Sequence, residues 1–261
     1  MILSLMNEKG GVGKSTLTYS VAWYLARSKQ RVLMIDMDGQ NANLTALAGV
    51  QAEGTMADVL VRNGDWKTYV KPVPAYTREE GALHLLPADT ELASLPQTAK
   101  ISRMKKVLRD MDKQYDWIFL DVNPSPDWKH ALTLAVVDFV GIVMLPDVLS
   151  LEANFGLLES IEEVQESVNP ELHVLGVILN EYDVRTNMSR LVAEKTKAWL
   201  HTQGLPDDLY LVHKAVGIQT SAANHRGVTE YAPKSRIAED VIGLAMWLSD
   251  GVMAKLEEED V

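Results

Sequence analysis

The run Lys9-Gly10-Gly11-Val12-Gly13-Lys14-Ser15-Thr16 restricts this sequence more than any other feature. An apolar stretch, Ile2–Met6, precedes it, and a helix-like stretch, Thr16–Ser28, follows. Strand, glycine loop and helix start, in that order, make a cradle for phosphate groups. Glycine lets backbone N–H groups turn inward. A side chain at Gly10, Gly11 or Gly13 would crowd the phosphates or forbid the dihedral angles. The new helix adds its positive end at the same point. In such a loop Lys14 reaches the terminal phosphates, Ser15 offers its hydroxyl to Mg2+, and Thr16 reaches the α-phosphate region. The spacing is a variant of the usual pattern, because Glu8 stands where that pattern has glycine and Lys9 adds a second lysine. A solvated Lys9 on an ordinary turn is the weaker reading, because strand, glycines, lysine, hydroxyls and helix all agree.

The rest of the chain supplies a sheet for this loop. Ile2–Met6, Arg31–Asp36, Trp117–Asp121, Phe139–Leu145 and Leu172–Leu179 are short apolar runs, mostly without period-two alternation. That is the pattern of parallel strands covered by helices on both faces. Leu83–Leu86 reads as a weaker strand at an edge. Helices are predicted over Thr16–Ser28, Ser102–Met111, Leu151–Val168, Met188–His201 and Ile237–Leu248 from their apolar stripes. The fold class is therefore α/β: a doubly wound, mostly parallel sheet. The 261 residues suit a single domain over 1–261. Residues 50–100 read as an irregular excursion, with a short capped helix in Gly54–Leu60 and a loop at Val70–Gly81. The acidic tail Lys255–Val261 reads as frayed.

Composition excludes several chemistries. There is no cysteine, hence no disulfide, thiolate catalysis, Cys-held cluster or Cys-based zinc site. His84, His173 and His201 are scattered without metal spacing. Trp23, Trp117 and Trp199 fall in element patterns that mark them as packing residues. Trp128, after Asn123-Pro124-Ser125-Pro126-Asp127, reads either as packing or as a residue near a switch or interface. Asp207 and Asp208 read as a solvated loop. No apolar run is long enough to span a bilayer, and the chain opens directly on its first strand; a cytoplasmic location is expected. The net charge of -11 opposes a uniformly strong grip on DNA or anionic lipid.

Transfer of a phosphoryl group to water needs Mg2+ and a group that orients the water. Asp36 and Asp38 close one apolar run and Asp121 another, at the strand ends where open α/β sheets place ligands. Asp38, Asp121 and Ser15 are the candidate metal groups. Asp36 serves equally well as a turn-capping residue.

Taken together, these motifs resemble the ParA/MinD group of deviant Walker A ATPases over nearly the whole chain. The resemblance rests on the Lys9–Thr16 loop, Asp36-Met37-Asp38-Gly39-Gln40-Asn41-Ala42-Asn43 and Asp121-Val122-Asn123-Pro124. Glu181-Tyr182-Asp183-Val184-Arg185-Thr186-Asn187 and Tyr231-Ala232-Pro233-Lys234-Ser235-Arg236 look closer to ParA partition proteins than to MinD. The resemblance implies that ATP and Mg2+ drive a sandwich homodimer. Lys9 would cross to the phosphates of the other subunit, Asp38 would position the attacking water, and Asp121 would support Mg2+. Gln40 and the residues around Asn123 would be switch regions, and Asn180 would read the adenine edge. The ATP dimer would hold DNA without sequence preference on the nucleoid. A ParB-like or other cargo-bound protein would stimulate hydrolysis and release. The alternative it leaves is a nucleotide-switched adaptor that positions a protein assembly. Gly39 replaces the proline usual after the first switch aspartate, and Asn123 replaces the first proline of the second switch. No helix-turn-helix precedes the first strand, so operator recognition is not expected.

Arg185, Arg190, Lys195, Lys197, Lys214, Arg226, Lys234 and Arg236 are the candidate DNA contacts, useful only if a dimer brings them together. Acidic residues lie among them, and any one is equally well a solvated surface charge. A membrane-bound relative would end in a basic amphipathic helix. Here Val252-Met253-Ala254-Lys255-Leu256 is followed by acids, so membrane attachment is not expected.

Overall fold

The computed structural model describes residues 1–93, 101–125, 128–203, 205 and 209–259, with backbone alone for 93, 148–155 and 259. Pro126, Asp127, Asp207, Asp208, Asp260 and Val261 lie outside the described residues. The elements run β1 (Ile2–Met6), α1 (Lys14–Arg27), β2 (Arg31–Asp36), α2 (Asn43–Ala48), α3 (Met56–Val61), α4 (Trp66–Tyr69), β3 (Lys71–Pro72), β4 (Ala82–Leu86), α5 (Thr90–Ala93) and α6 (Ile101–Asp112). After them come β5 (Trp117–Asp121), α7 (Trp128–Leu134), β6 (Phe139–Met144), α8 (Val148–Ser167), β7 (His173–Tyr182), α9 (Asn187–Thr202), β8 (Leu209–His213), α10 (Val216–Ala223), α11 (Val228–Tyr231) and α12 (Arg236–Glu259).

One sheet has the order β3-β4-β2-β5-β1-β6-β7-β8. Its pairs are parallel except β3 with β4. The period-two alternation that the sequence hides is present in space. Ile2, Met6, Leu33, Ile35, Ile118 and Leu120 pack in one core, with Met104, Leu108 and Met111 of α6. Leu3, Leu5, Val32, Met34 and Phe119 pack in the other, with α1 and α12. Both faces of each strand are apolar because both are covered, which is the doubly wound arrangement expected.

Three expectations are corrected. Leu83–Leu86 belongs to β4, which is not the edge. The edge is β3, where Pro72 lacks the N–H that an inner strand needs. β8, five residues long, was not read as a strand at all. The acidic tail is helical through Glu259. Val252 is fully buried in the α1-side core, and Lys255 pairs with Glu258 at 2.8 Å, so the last turns have both an apolar anchor and a charge pair.

The excursion packs onto α6. Trp66 is buried and its indole N–H donates to Asp110 at 3.0 Å. Arg103 donates from Nε to the Val59 carbonyl, near the end of α3, at 2.8 Å. The capped helix read from Gly54–Leu60 is α3. The Thr55 hydroxyl accepts the Ala57 N–H at 3.2 Å, and Asp58 returns a carboxylate to the Thr55 N–H at 2.8 Å. Thr55→Ala is expected to lower stability by about 1 kcal/mol, measured as a shift in the urea midpoint without a change in slope.

Candidate nucleotide site

Parallel pairing of β1 with β5 and β6, and of β2 with β5, brings four strand ends to one edge of the sheet. The glycine loop leaves β1 there. Asp121 ends β5 beside Asp36 of β2, its register partner. A cleft of about 520 Å3 opens at this edge. Gly11 to Thr16 and Asp38 form one wall, and Asn180, His213 and Lys214 line another. Of the residues singled out from sequence, Val12, Lys14, Ser15, Thr16, Asp38, Asn180 and Lys214 are therefore brought together. Lys9 does not line this cleft.

The loop conformation demands glycine at two places. Gly11 and Gly13 have φ of 75° and 96°, the left-handed region. A Cβ on Gly13 would also collide with the Asn180 amide, which donates to the Val12 carbonyl at 2.8 Å. Gly10 has ordinary φ, and a Cβ there would only touch Pro124 at 3.5 Å, so the dihedral argument does not extend to it. Helix α1 starts directly at Lys14 with no side-chain cap. Its first N–H groups are thus left for a ligand.

Behind the loop lies a cluster of buried charge. Lys14 is 6 % exposed and donates to the Asn7 carbonyl at 3.2 Å. Burial pulls its pKa down, opposed by Asp121 and then Asp38. Asp121 is fully buried, and burial first, then the Asp36 charge, raise its pKa; Ser15 and Lys14 hold it back. Neither Asp121 oxygen makes a hydrogen bond of normal geometry among the described residues. Asp36 accepts from the Asp38 N–H at 2.9 Å, the Thr45 N–H at 2.8 Å and the Thr45 hydroxyl at 2.7 Å. Burial still outweighs these donors and moves its pKa up to about 6. Asp36 therefore caps the turn into α2, the second of its two sequence readings.

Asp38 faces the cleft but is used by its own turn. Its oxygens accept from Gln40 N–H at 3.0 Å, Asn41 N–H at 3.2 Å and the Asn43 amide at 3.2 Å. The turn is costly locally. Ala42 has φ 46°, which for a residue with a Cβ costs roughly 1–2 kcal/mol. The Ala42 N–H to Asp38 carbonyl bond at 2.8 Å helps hold it.

The remaining candidates behave unevenly. Arg185 is engaged by Asp183 at 2.8 Å, Lys214 by Glu181 at 3.3 Å and Arg236 by the buried Asp240 at 3.1 Å. Arg190 bonds Asn187 at 2.7 Å. Arg226 and Lys234 are exposed and form no ion pair among the described residues, and Lys195 and Lys197 are exposed on α9. The expected basic surface is thus partly neutralised by its own acids. Trp128 is half-buried against the first core, in favour of packing. Sequence reasoning missed Asn7, Thr45, Asp147 and His213. Asn7 orients the loop: its Oδ1 accepts the Lys9 N–H and its amide donates to the Val143 carbonyl at 2.6 Å. Its place between strand and glycines was the only signal in the sequence.

The buried, unpartnered Asp121 carboxylate beside Ser15 and Lys14 suits a hydrated Mg2+, and the glycine loop suits the polyphosphate that carries it. Among the described residues no cluster of three His, Asp or Glu groups could hold a metal by itself. Phosphate oxygens and water must therefore complete the shell. Mg2+ supplies charge neutralisation on the phosphates; Ser15 and Asp121 are the groups that could hold it.

Known proteins resemble this chain over most of its length. A family profile described as an AAA domain matches residues 1–174. The chain is 32% identical over 259 residues to the chromosome-partitioning ATPase Soj of Thermus thermophilus, covering 98% of this chain and 96% of that one. It is 25% identical over 238 residues to the cell division protein PomZ of Myxococcus xanthus, covering 90% of this chain and 74% of that one. Among solved structures, septum site-determining MinD of Pyrococcus horikoshii with Mg-ADP superposes with a TM-score of 0.77 at 21% identity, over 97% of this chain and 98% of that one. The chain belongs to the ParA/MinD/Soj superfamily of deviant Walker A P-loop ATPases. It is an ATPase that works with Mg2+.

Gly13→Ala is expected to weaken ATP binding at least about tenfold, because the left-handed backbone alone costs this much; titration with a fluorescent nucleotide reads it. A second outcome concerns acid. The folded pKa of Asp36, about 6, lies above its ordinary 3.8, so its charge opposes folding. Its stabilising contribution is full below about pH 4 and lost as pH rises to about 6. Urea unfolding of nucleotide-free protein across that window should show this decline, and Asp36→Asn should flatten it.

Proposed function

We propose that this ATPase is a nucleotide-switched positioning device for a protein assembly. ATP with Mg2+ closes two protomers face to face, and hydrolysis stimulated by a cargo-bound partner reopens them. One observation carries the reading. The loop holds two lysines, and only Lys14 serves the cleft of its own protomer, while Lys9 is directed away from it. A loop cation turned away from its own nucleotide cleft is suited to the phosphates of a facing subunit, where it offsets the repulsion between two bound nucleotides. It also makes turnover depend on pairing, as a cationic finger supplied in trans does.

Within this reading Lys14 grips the terminal phosphates, and Ser15 with Asp121 holds Mg2+. Asn180 reads the adenine edge from the end of β7. Asp38 orients the attacking water once the Gly39–Asn43 turn releases its carboxylate, a release eased by glycine at the usual proline position. A protein cargo is favoured over DNA by the net charge of -11 and by the acids already paired with Arg185, Lys214 and Arg236. DNA partition remains the second reading, favoured by the 32% identity to a chromosome-partitioning ATPase.

Sedimentation with ATP and Mg2+ is expected to show a monomer becoming a dimer, and Lys9→Ala should remove that conversion while leaving monomer nucleotide binding within about twofold. A dimer indifferent to ATP and to Lys9 contradicts the reading. Retention on nonspecific DNA at increasing salt separates the cargoes: steeply salt-sensitive, ATP-dependent retention assigns the protein to DNA, and none assigns it to protein cargo.

A further inference from the structure

Lys9 is held at two points by the same neighbouring strand. β1 and β6 run parallel, with Met6 opposite Ile142, so the chains leaving them travel side by side. The Lys9 N–H donates to Asn7, which donates in turn to the Val143 carbonyl on β6. The Lys9 ammonium donates to both oxygens of Asp147, just past β6, at 2.9 and 3.1 Å. The two side chains are 32% and 39% exposed. This pair is neither buried beyond reach nor fully bathed in solvent.

Such an arrangement has a consequence for closure. A cation with both oxygens of a carboxylate on it cannot at the same time give its full set of donors to a phosphate. To reach a facing protomer, Lys9 must leave Asp147. The carboxylate then keeps its negative charge near the face on which a second polyphosphate arrives, and like charges repel there. Two copies of this exchange accompany each dimer.

We infer that Asp147 is a positioning residue that holds Lys9 in the open protomer and competes with the nucleotide of a second copy of this chain for its ammonium. Asp147 thereby sets the protein concentration at which pairs close. The inference rests on the reading of Lys9 as a group that acts across the dimer.

The test is sedimentation over a range of protein concentrations with Mg2+ and a non-hydrolysable ATP analogue. The proteins are wild type, Asp147→Asn, Asp147→Ser, Lys9→Ala and the Lys9→Ala/Asp147→Asn double variant. Both Asp147 variants should pair at about five- to thirty-fold lower concentration than wild type, the size that loss of two half-exposed ion pairs per dimer gives. The gain should shrink as salt is raised, which a merely structural effect of the substitution would not do, and the double variant should pair no better than Lys9→Ala. Asp147 variants that pair like wild type or more weakly, while Lys9→Ala abolishes pairing, overturn the competition and leave the role of Lys9 standing. An equal gain with Lys9 absent overturns it too, since Asp147 would then act through another group. Wild-type pairing undisturbed by Lys9→Ala overturns both the role of Lys9 and the inference built on it.

Discussion

Burying charge is expensive, and this structure concentrates that expense at one sheet edge. Lys14, Asp36, Asp38 and Asp121 are all withdrawn from solvent within a few residues of three strand ends. The carboxylates disfavour one another's charge, and Lys14 is the cation among them that opposes this. Asp121 and Asp38 return to Lys14 only part of what it loses by desolvation, and Lys14 and Ser15 partly offset the burial that favours protonation of Asp121. The cluster carries too much negative charge to be satisfied by one lysine. A divalent cation corrects that excess, which ties the electrostatics of the apo fold to the ligand of the family.

The two carboxylates that close β2 divide their labour by depth. Asp36 points inward, collects three donors and fixes how the chain turns from β2 into α2. Asp38, two residues on, lies on the cleft wall and accepts from local N–H groups and two asparagine amides. Inward bonds are protected from water and hard to exchange. Bonds at a cleft wall can be traded for a ligand. The left-handed Ala42 lies between Asp38 and Thr45, the partner of Asp36, so local backbone cost is stored where a switch needs two alternatives.

The lysines of the loop show a similar division. Lys14 faces its own cleft and is buried. Lys9 is turned to β6 and clasped by Asp147. Their separation follows from backbone geometry, because positive φ at Gly11 and Gly13 reverses the chain between them. A nucleotide site with one lysine inside and one outside is the arrangement on which the proposed pairing of two protomers rests.

Much of this was legible in the chain. The glycine loop, the acids at strand ends and the continuous apolar runs marked the fold class and most of the candidate site residues, because strand burial and phosphate binding each need residue types at short, local spacing. Helix α3 was legible for the same reason, as Thr55 and Asp58 cap within one turn. What escaped reading depended on partners far along the chain. β8 became a strand by pairing with β7, and β3 rather than β4 became the edge. The acidic tail became helix because Val252 found the α1-side core. Asn7 on Val143 and Lys9 on Asp147 join residues separated by 136 and 138 positions. No local pattern can announce such pairs, since only the packing of β1 against β6 brings their loops within reach. The sequence by itself determined that a polyphosphate is bound and by which loop. The tertiary structure alone decided where each charge points, because direction is set by which strand lies next to which.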